Sequence, residues 1–441
     1  MTFTPGQLHE HLAALEHGAA SPTRYVIAFS GGLDSSVLAH ALVAADLGIP
    51  VIAIHIDHGL HEDSGEWAGH CEAFAKKLGI EFRNRLVRVQ LESGKGPEAS
   101  AREARYTALH AELEPGDWLL SAHHREDQAE TLLLNLVRGS GPAGIAGIGA
   151  IRRFGCGWLV RPVLNVDRAS LESYAEEHKL RWIEDPSNTD RRFDRNFLRH
   201  EVLPRLKARW PDIAARLQRS AGHAGEAATL LADLAAIDLE QLGAQAERLP
   251  IDALGALSVA RQKNLLRYAL RMLGLSTPTA LQLDRILNEL IPAREDAQPH
   301  VGWPGASVRR YRNNLYLLPE ISEALSMPQE IAGDSVPLGK GLGVLHFENC
   351  AGQGLAAELV ERGLRLEMRK GGEEFKPVGQ SHTRKLKKLL QEEGVVPWMR
   401  DRLPLVYSGG ELVAVGDLWL AEGAAATPGI AIRWSDRPPL H

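Results

Sequence analysis

Short apolar runs recur along the first 125 residues, and each is followed by a longer stretch of helical periodicity. The run "YVIAF" (25–29) precedes a helical pattern from about Ser35 to Asp46, and "VIAIHI" (51–56) precedes one from Gly65 to Leu78. "FRNRLVRV" (82–89) precedes one from Glu98 to Glu112, and "DWLLSA" (117–122) precedes one from Arg125 to Arg138. This alternation predicts an α/β domain, a parallel sheet with helices on both faces. Such sheets bind ligands at the carboxyl ends of their strands, near the point where strand order reverses.

The pattern changes downstream. "RGSGPAGIAGIGA" (138–150) is a glycine-rich break, expected to be a mobile loop. A second section of helices and loops runs to about Pro211. Residues 216–320 are rich in Ala and Leu with few strand signals, which predicts a small helical domain. "MPQEIAGDSVPLGKGLG" (327–343) is a Pro/Gly-rich link, and short apolar runs with Gly-Gly turns from Val344 predict a small α+β domain. The expected division is therefore 1–215, 216–325 and 326–441. Two further glycine clusters, at 93–96 and 338–343, lack a strand before and a helix after and read as turns.

Composition narrows the class. The chain is 44% hydrophobic and 24% charged, as a soluble globular protein would be. Its net charge of -6 gives no global attraction to nucleic acid, so any RNA contact must use local basic patches. Cys71, Cys156 and Cys350 are far apart and suggest no disulfide framework, which fits a reducing cytoplasm. Neither a signal-peptide pattern nor a run of 18 apolar residues is present, so neither secretion nor membrane spanning is expected.

The chemistry starts in "SGGLDSS" (30–36), between the first strand and its helix. Gly31 and Gly32 allow a tight turn and close backbone approach to an anion. Their N–H groups and the helix N-terminus then face phosphate. Ser30, Ser35 and Ser36 add hydroxyl donors. Asp34 sits badly beside phosphate unless a cation lies between, which suggests Mg²⁺; the alternative is an ordinary turn with Asp34 as helix cap. The lysine of the Gly-Lys-Ser/Thr loop is missing.

"SGGLDS" after a strand resembles the PP-loop ATP pyrophosphatases. That resemblance implies ATP as co-substrate, bound through Ser30, Gly31, Gly32, Leu33, Asp34 and Ser35, and cleaved between its α and β phosphates. Sulfur-transferring members commonly use paired cysteines, which this chain lacks, so a thiolase is the disfavoured alternative. Thr2 follows Met1, so an N-terminal cysteine glutaminase is not expected either.

Longer stretches resemble the tRNA(Ile)-lysidine synthetase family: "HIDHGLHEDS" (55–64), "EASAREARYTAL" (98–109), "SAHHREDQAETLLLNLVRGSGPAGIAGI" (121–148), "RPVL" (161–164), "WIEDPSNTDRRFDRNFLRHEVLP" (182–204) and the C-terminal segment 368–406. His61 and Glu126 depart from the residues many members carry there, Arg and Asp. The resemblance implies a ligase that joins free L-lysine to carbon 2 of the wobble cytidine of a CAU-anticodon tRNA(Ile). AMP and pyrophosphate are released. The carbonyl oxygen on carbon 2 is a poor leaving group, and adenylation makes it a good one. The free ε-ammonium has a pKa of about 10.4 and must lose a proton before it can attack. The two later domains would then bind tRNA. No obligate protein partner is expected, and a homodimer is left open.

Individual residues carry these expectations. His123, Asp127 and Glu130 are spaced i, i+4, i+7, one face of a helix just past a strand end. They read as a base and an acidic pocket for the lysine ammonium, a buried polar cluster, or less readily a metal site. Arg102 and Arg105 would neutralise the α phosphate, or else form a salt-bridged face. The resemblance puts His55, Asp57 and His58 near the nucleotide. Arg191, Arg192, Arg195 and Arg199 would meet RNA backbone or AMP phosphate. Arg384, Lys385, Lys387 and Lys388 read as a basic helix for tRNA backbone, with a solvated helix as the alternative.

Overall fold

The computed structural model describes residues 3–59, 63–87, 97–294, 297, 299–320, 328–339 and 341–440, with only the backbone of 97–99 and 187–188. His61 and the expected turn at 93–96 lie outside the described residues. The chain forms two compact units, Met1–Leu230 and Leu231–His441.

The first unit opens with α1 (Pro5–Glu16), started by Thr4, whose hydroxyl accepts the Gln7 N–H at 3.2 Å. Strand and helix then alternate: β1 (Arg24–Ala28), α2 (Leu33–Ala44), β2 (Val51–Asp57), α3 (Ser64–Leu78), β3 (Glu81–Leu86), α4 (Pro97–Ala111), β4 (Asp117–Leu120) and α5 (Arg125–Val137). These bounds follow the apolar runs closely. Next come α6 (Pro142–Ile145), β5 (Ile151–Phe154), β6 (Gly157–Val160) and α7 (Arg168–Glu177).

The sheet order is β3-β2-β1-β4-β6-β5. All neighbours pair in parallel except the β5–β6 hairpin at the edge. Both faces are covered. Tyr25, Ile27 and Phe29 enter one core with α1, α2 and α7, while Val26 enters a second with Leu109 of α4. A strand buried on both faces reads as one unbroken apolar run, the signal in "YVIAF". Strand order reverses between β1 and β4: β2 and β3 lie to one side of β1, β4 to the other. A ligand crevice opens at such a reversal.

The glycine-rich break, expected to move, is tied down. The Gln128 amide donates to Ala146 O and Ile148 O at 3.2 and 3.1 Å and accepts the Ile148 N–H at 2.6 Å. Asn135 Nδ2 holds Gly144 O at 2.7 Å.

After α7 come α8 (Asp194–Phe197), a π-helical turn Leu198–Val202, α9 (Leu203–Arg209) and α10 (Ile213–Gln241). The expected helical character beyond 216 is only part of the picture. β7 (Arg248–Pro250), β8 (His300–Trp303), β9 (Ala306–Tyr311) and β10 (Asn314–Leu318) form a four-stranded sheet, order β7-β10-β9-β8. Its inner face packs with α11 (Ile251–Gly255) and α12 (Val259–Met272) around Leu249, Leu265, Val308 and Leu315. The strands are antiparallel and short, so the Ala/Leu-rich helices dominate the composition. Beyond Gln329, two five-stranded antiparallel sheets enclose a further core, as the α+β expectation required.

Candidate active site

The loop after β1 is shaped by what packs behind it. Gly31 has φ +78, a left-handed conformation costly for any residue with a Cβ. An added Cβ would lie 2.6 Å from Ile183 Cδ1 and 2.7 Å from Cys71 Sγ. Gly31 O accepts the Ile183 N–H at 2.9 Å. Ser30 and Ser35 share a hydroxyl hydrogen bond of 3.1 Å, and Ser35 Oγ donates to Gly32 O at 3.0 Å. Gly32, not Asp34, is the N-cap of α2, and no side chain caps the first turn. Its N–H groups are thus available to an anion.

Asp34 lies one turn into this cradle, beside buried Leu33. Its Oδ2 is 3.8 Å from His124 Nε2, and its Oδ1 is buried with no hydrogen-bond partner among the described residues. Burial raises the Asp34 pKa, with the nearby Asp127 adding to the effect and the His124 ring opposing it.

Across the β1–β4 gap, α5 begins at Arg125 with His124 as its N-cap. His123 therefore precedes the helix and does not share a face with Asp127 and Glu130. The cause is a capping box: Asp127 Oδ2 accepts the His124 N–H at 2.9 Å, which sets the helix start. His123 Nδ1 is 2.6 Å from Ser121 Oγ, and burial pushes its pKa down to about 3. A ring that holds protons so weakly is a neutral hydrogen-bonding group, ill suited to deprotonate an ammonium.

His124 behaves in the opposite way and is not among the sequence candidates. It is buried, yet sits 3.2 Å from Glu126 Oε2, 3.4 Å from Asp127 Oδ2 and 3.8 Å from Asp34 Oδ2. Burial disfavours its charge, but the hydrogen bond to Glu126 and the charges of Asp127 and Asp34 outweigh it, so its pKa is raised. The legible signal was a polar residue three before Asp127 at a helix start. Glu126 in turn accepts from Lys207 Nζ at 2.8 Å and from Arg168 N at 3.0 Å.

Asp127 and Glu130 do share a face of α5, and Arg195 and Arg199 cover it. Arg195 Nε donates to Glu130 Oε2 and Arg199 Nε to Glu130 Oε1, each at 2.7 Å. Asp127 Oδ1 accepts from Arg195 Nη2 at 2.8 Å and Arg199 Nη2 at 3.2 Å. Burial would raise the Asp127 pKa, but His124 and Arg195 hold it at about 2. The arginine group read as one patch thus divides, because α8 and the π-turn place Arg195 and Arg199 on one side. Arg191 and Arg192 are exposed and pair with Glu201 and Asp190 at 2.6 and 2.7 Å. A cavity of about 130 Å³ borders the cluster, lined in part by His124, Glu130, Arg199 and Lys207.

At the end of β2, His55 is buried, its Nδ1 3.0 Å from Phe29 O, which fixes the ring against the base of the loop. Asp57 Oδ1 accepts the Gly59 N–H at 2.8 Å and shapes the turn. On α4, Arg105 Nε lies 3.3 Å from His58 Nε2, and burial together with Arg105 lowers the His58 pKa to about 4. Arg102 stacks over the Tyr106 ring at 5.0 Å.

The basic C-terminal segment is not one helix. Arg384–Lys385 is a short strand paired with Glu374–Phe375, and the helix spans Leu386–Glu392. Lys385 is extended, φ -63 and ψ 125, so helical geometry starts only after it. Arg384 is ion-paired with Glu392. Lys387 and Lys388 lie exposed on the helix, whose Leu386, Leu389 and Leu390 are buried.

Known proteins align with both units. Residues 7–206 match a PP-loop domain, 249–316 a TilS substrate binding domain, and 364–434 a TilS substrate C-terminal domain. The tRNA(Ile)-lysidine synthase of Alkalilimnicola ehrlichii is 42% identical over 99% of this chain and 98% of its own length. That of Coxiella burnetii is 40% identical over 96% and 94%. Among solved structures, the U34-tRNA thiolase NcsA from Methanococcus maripaludis has 17% identity and a TM-score of 0.41 over 49% of this chain and 79% of its own. With relatives so similar along nearly its whole length, this chain belongs to the tRNA(Ile)-lysidine synthase family.

Proposed function

We propose that the protein adenylates the wobble cytidine of a CAU-anticodon tRNA(Ile) and then joins free L-lysine to it. The carrying observation is the meeting, at the β1–β4 reversal, of an uncapped glycine loop with Asp34 and the His124–Asp127 helix cap. In the first step the cytidine O2 attacks the α phosphorus of ATP and pyrophosphate leaves. In the second the lysine amine attacks carbon 2 and AMP leaves.

The first-turn N–H groups of α2 and the hydroxyls of Ser30 and Ser35 hold phosphate oxygens. The His124 ring, 3.8 Å from Asp34 beside the loop, is placed to stabilise charge that builds as the α–β bond breaks. Asp34 fits a divalent cation, since one of its oxygens is buried without a donor. Among the described residues no three His, Cys, Asp or Glu side chains are placed to hold a metal ion by themselves. Mg²⁺ would take its remaining ligands from phosphate oxygens and water, its usual habit. Bound there, it would offset the triphosphate charge beside Asp34.

Asp127 and Glu130 form the acidic wall for the lysine ammonium, with Arg195 and Arg199 holding both carboxylates in place. Arg102 and Arg105 flank the nucleotide side from α4. Incubation with ATP, radiolabelled lysine and bulk bacterial tRNA tests the reading: label enters tRNA only if the ligation occurs. An RNA that gains sulfur and no lysine would favour the thiolase alternative. With no helix among the described residues long and apolar enough to cross a membrane, the assay needs no lipid.

A further inference from the structure

The face of the four-stranded sheet opposite the Leu249 core, against which Trp398 packs, gathers side chains, several of them half-buried, that neither step uses. Its register sets Arg248, Tyr316, Arg309 and His300 in one row across β7, β10, β9 and β8. Directly opposed residues share a face. The alternate positions, Leu249, Leu315 and Val308, fill the core beneath. Trp398 packs edge-on against this row, its ring 5.2 Å from that of Tyr316 and 6.3 Å from that of Tyr311.

Guanidinium groups surround these rings. Arg309 stacks over Trp398 at 5.6 Å, and Arg400 over Tyr311 at 5.8 Å. Arg402 Nη1 donates to Trp398 O at 2.7 Å. Among the described residues none of Arg309, Arg400 and Arg402 is ion-paired to a carboxylate. Moreover, Nε of Arg309, Nε of Arg402 and Nε1 of Trp398 are buried with no hydrogen-bond partner. Trp398 is only 7% exposed.

A half-buried cation without a counter-ion is costly, and so is a buried donor without an acceptor. This chain has 56 acidic residues against 50 Lys and Arg, so carboxylates are not scarce. Burial and the neighbouring Arg402 both lower the Arg309 pKa, which an anion between them would reverse. A phosphodiester offers several acceptor oxygens and one negative charge to such a set. Guanidinium planes held on aromatic rings keep their forks oriented for it.

We propose that this arginine–aromatic face is an RNA phosphate site, with Arg309 and Arg402 gripping a backbone phosphate and the Trp398 N–H as a neutral donor. The site rests on the tRNA-acting reading above and gives it a docking point remote in sequence from the phosphate loop.

The test is filter binding of tRNA to the full-length protein across a salt series, without ATP or lysine. Replacing Arg309→Gln and Arg402→Gln together removes two charges. The slope of log K against log salt should fall by about 0.7 to 0.9, the share of the one phosphate they neutralise. Arg309→Lys with Arg402→Lys keeps both charges, so it should keep the slope while weakening affinity through loss of the fork. An unchanged slope in the glutamine pair, at wild-type melting temperature, overturns the site. Should that pair melt early, each single glutamine variant should lower the slope by up to about 0.7 to 0.9, and two unchanged slopes overturn it equally. A wild type that binds tRNA but attaches no lysine refutes the ligation reading and leaves this measurement standing.

Discussion

Arg199 grips both oxygens of Glu130, through Nε at 2.7 Å and Nη2 at 3.0 Å, although the two are 69 residues apart in sequence. Glu130 is 1% exposed, so this pair is a structural joint as well as part of the acidic wall. Glu130→Gln leaves two half-buried guanidiniums with Asp127 as their only full charge partner in the cluster. The expected cost is about 3 to 5 kcal/mol, read as a lower denaturation midpoint. Adding Arg199→Gln should cost less than the sum of the single losses, a coupling that a double-mutant cycle measures. Additive losses would show that the joint contributes nothing.

Asp34 behaves differently: the His124 charge that it supports is held more strongly by Glu126 and Asp127. Its side chain is half-buried and one of its oxygens is unpartnered, so Asp34→Asn should change thermal stability little. Pyrophosphate release should fall on the order of 100-fold or more, the scale of losing a preorganised charge at a reacting centre. Near-normal release by a folded variant would remove Asp34 from the reaction.

The two adjacent histidines should titrate far apart. His123, lowered to about 3, should show flat ring chemical shifts between about pH 5 and 8. His124 has a folded pKa above its ordinary 6.5. Its contribution to stability is therefore complete below pH 6.5 and is lost as pH rises through the folded value. Asp127 runs the other way: lowered from 3.8 to about 2, it stabilises above pH 3.8 and loses that contribution as pH falls toward 2. His124→Gln should abolish the alkaline limb and leave the acid limb. Ring-proton NMR on both single variants assigns the signals; a titrating His123 would contradict its burial.

Gly31→Ala puts a methyl group where Ile183 and Cys71 already stand, at a φ of +78. Destabilisation of about 1 to 3 kcal/mol is expected from the backbone alone. ATP binding, followed by isothermal titration, should weaken further because the loop must shift. A variant with wild-type affinity would mean the loop does not close on phosphate.

For the C-terminal segment, Arg384 is already committed to Glu392, so its loss should matter least to tRNA. Lys385→Gln, Lys387→Gln and Lys388→Gln together should lower the salt slope of tRNA binding by roughly 2 to 2.7 if all three meet phosphates. No change in slope would mark the helix as a solvated surface.

Strand positions in the first unit were most legible at β1, β2 and β4, whose two faces are buried, leaving unbroken apolar runs. The phosphate loop was legible because glycine, serine and aspartate occupy fixed steps after such a run. What escaped depended on contacts distant in sequence. No local pattern says that Arg195 and Arg199 turn inward, since only their carboxylate partners on α5 decide it. His124 was hidden for a related reason: beside Glu126 and Asp127 of its own helix, part of what charges it is Asp34 on another strand–helix unit. The sheet of the second unit was obscured by its brevity, although "WPGA" and "YRNN" are tight turns between its strands, the latter with Arg312 at φ +53.

The strand reversal has a consequence in time. β1 and β4 are held in register by Tyr25 against Trp118, and by an ionic fork in which Arg24 reaches Asp117 at 3.0 and 2.5 Å. The partners are 93 residues apart, so β1 must pair across the whole length of two intervening strand–helix units. A chain emerging from the ribosome exposes its glycine loop long before Trp118 arrives. Closing so long a segment is entropically slow. Nucleotide capture is therefore expected only after the central pair of strands has met, with bound ATP as its reporter.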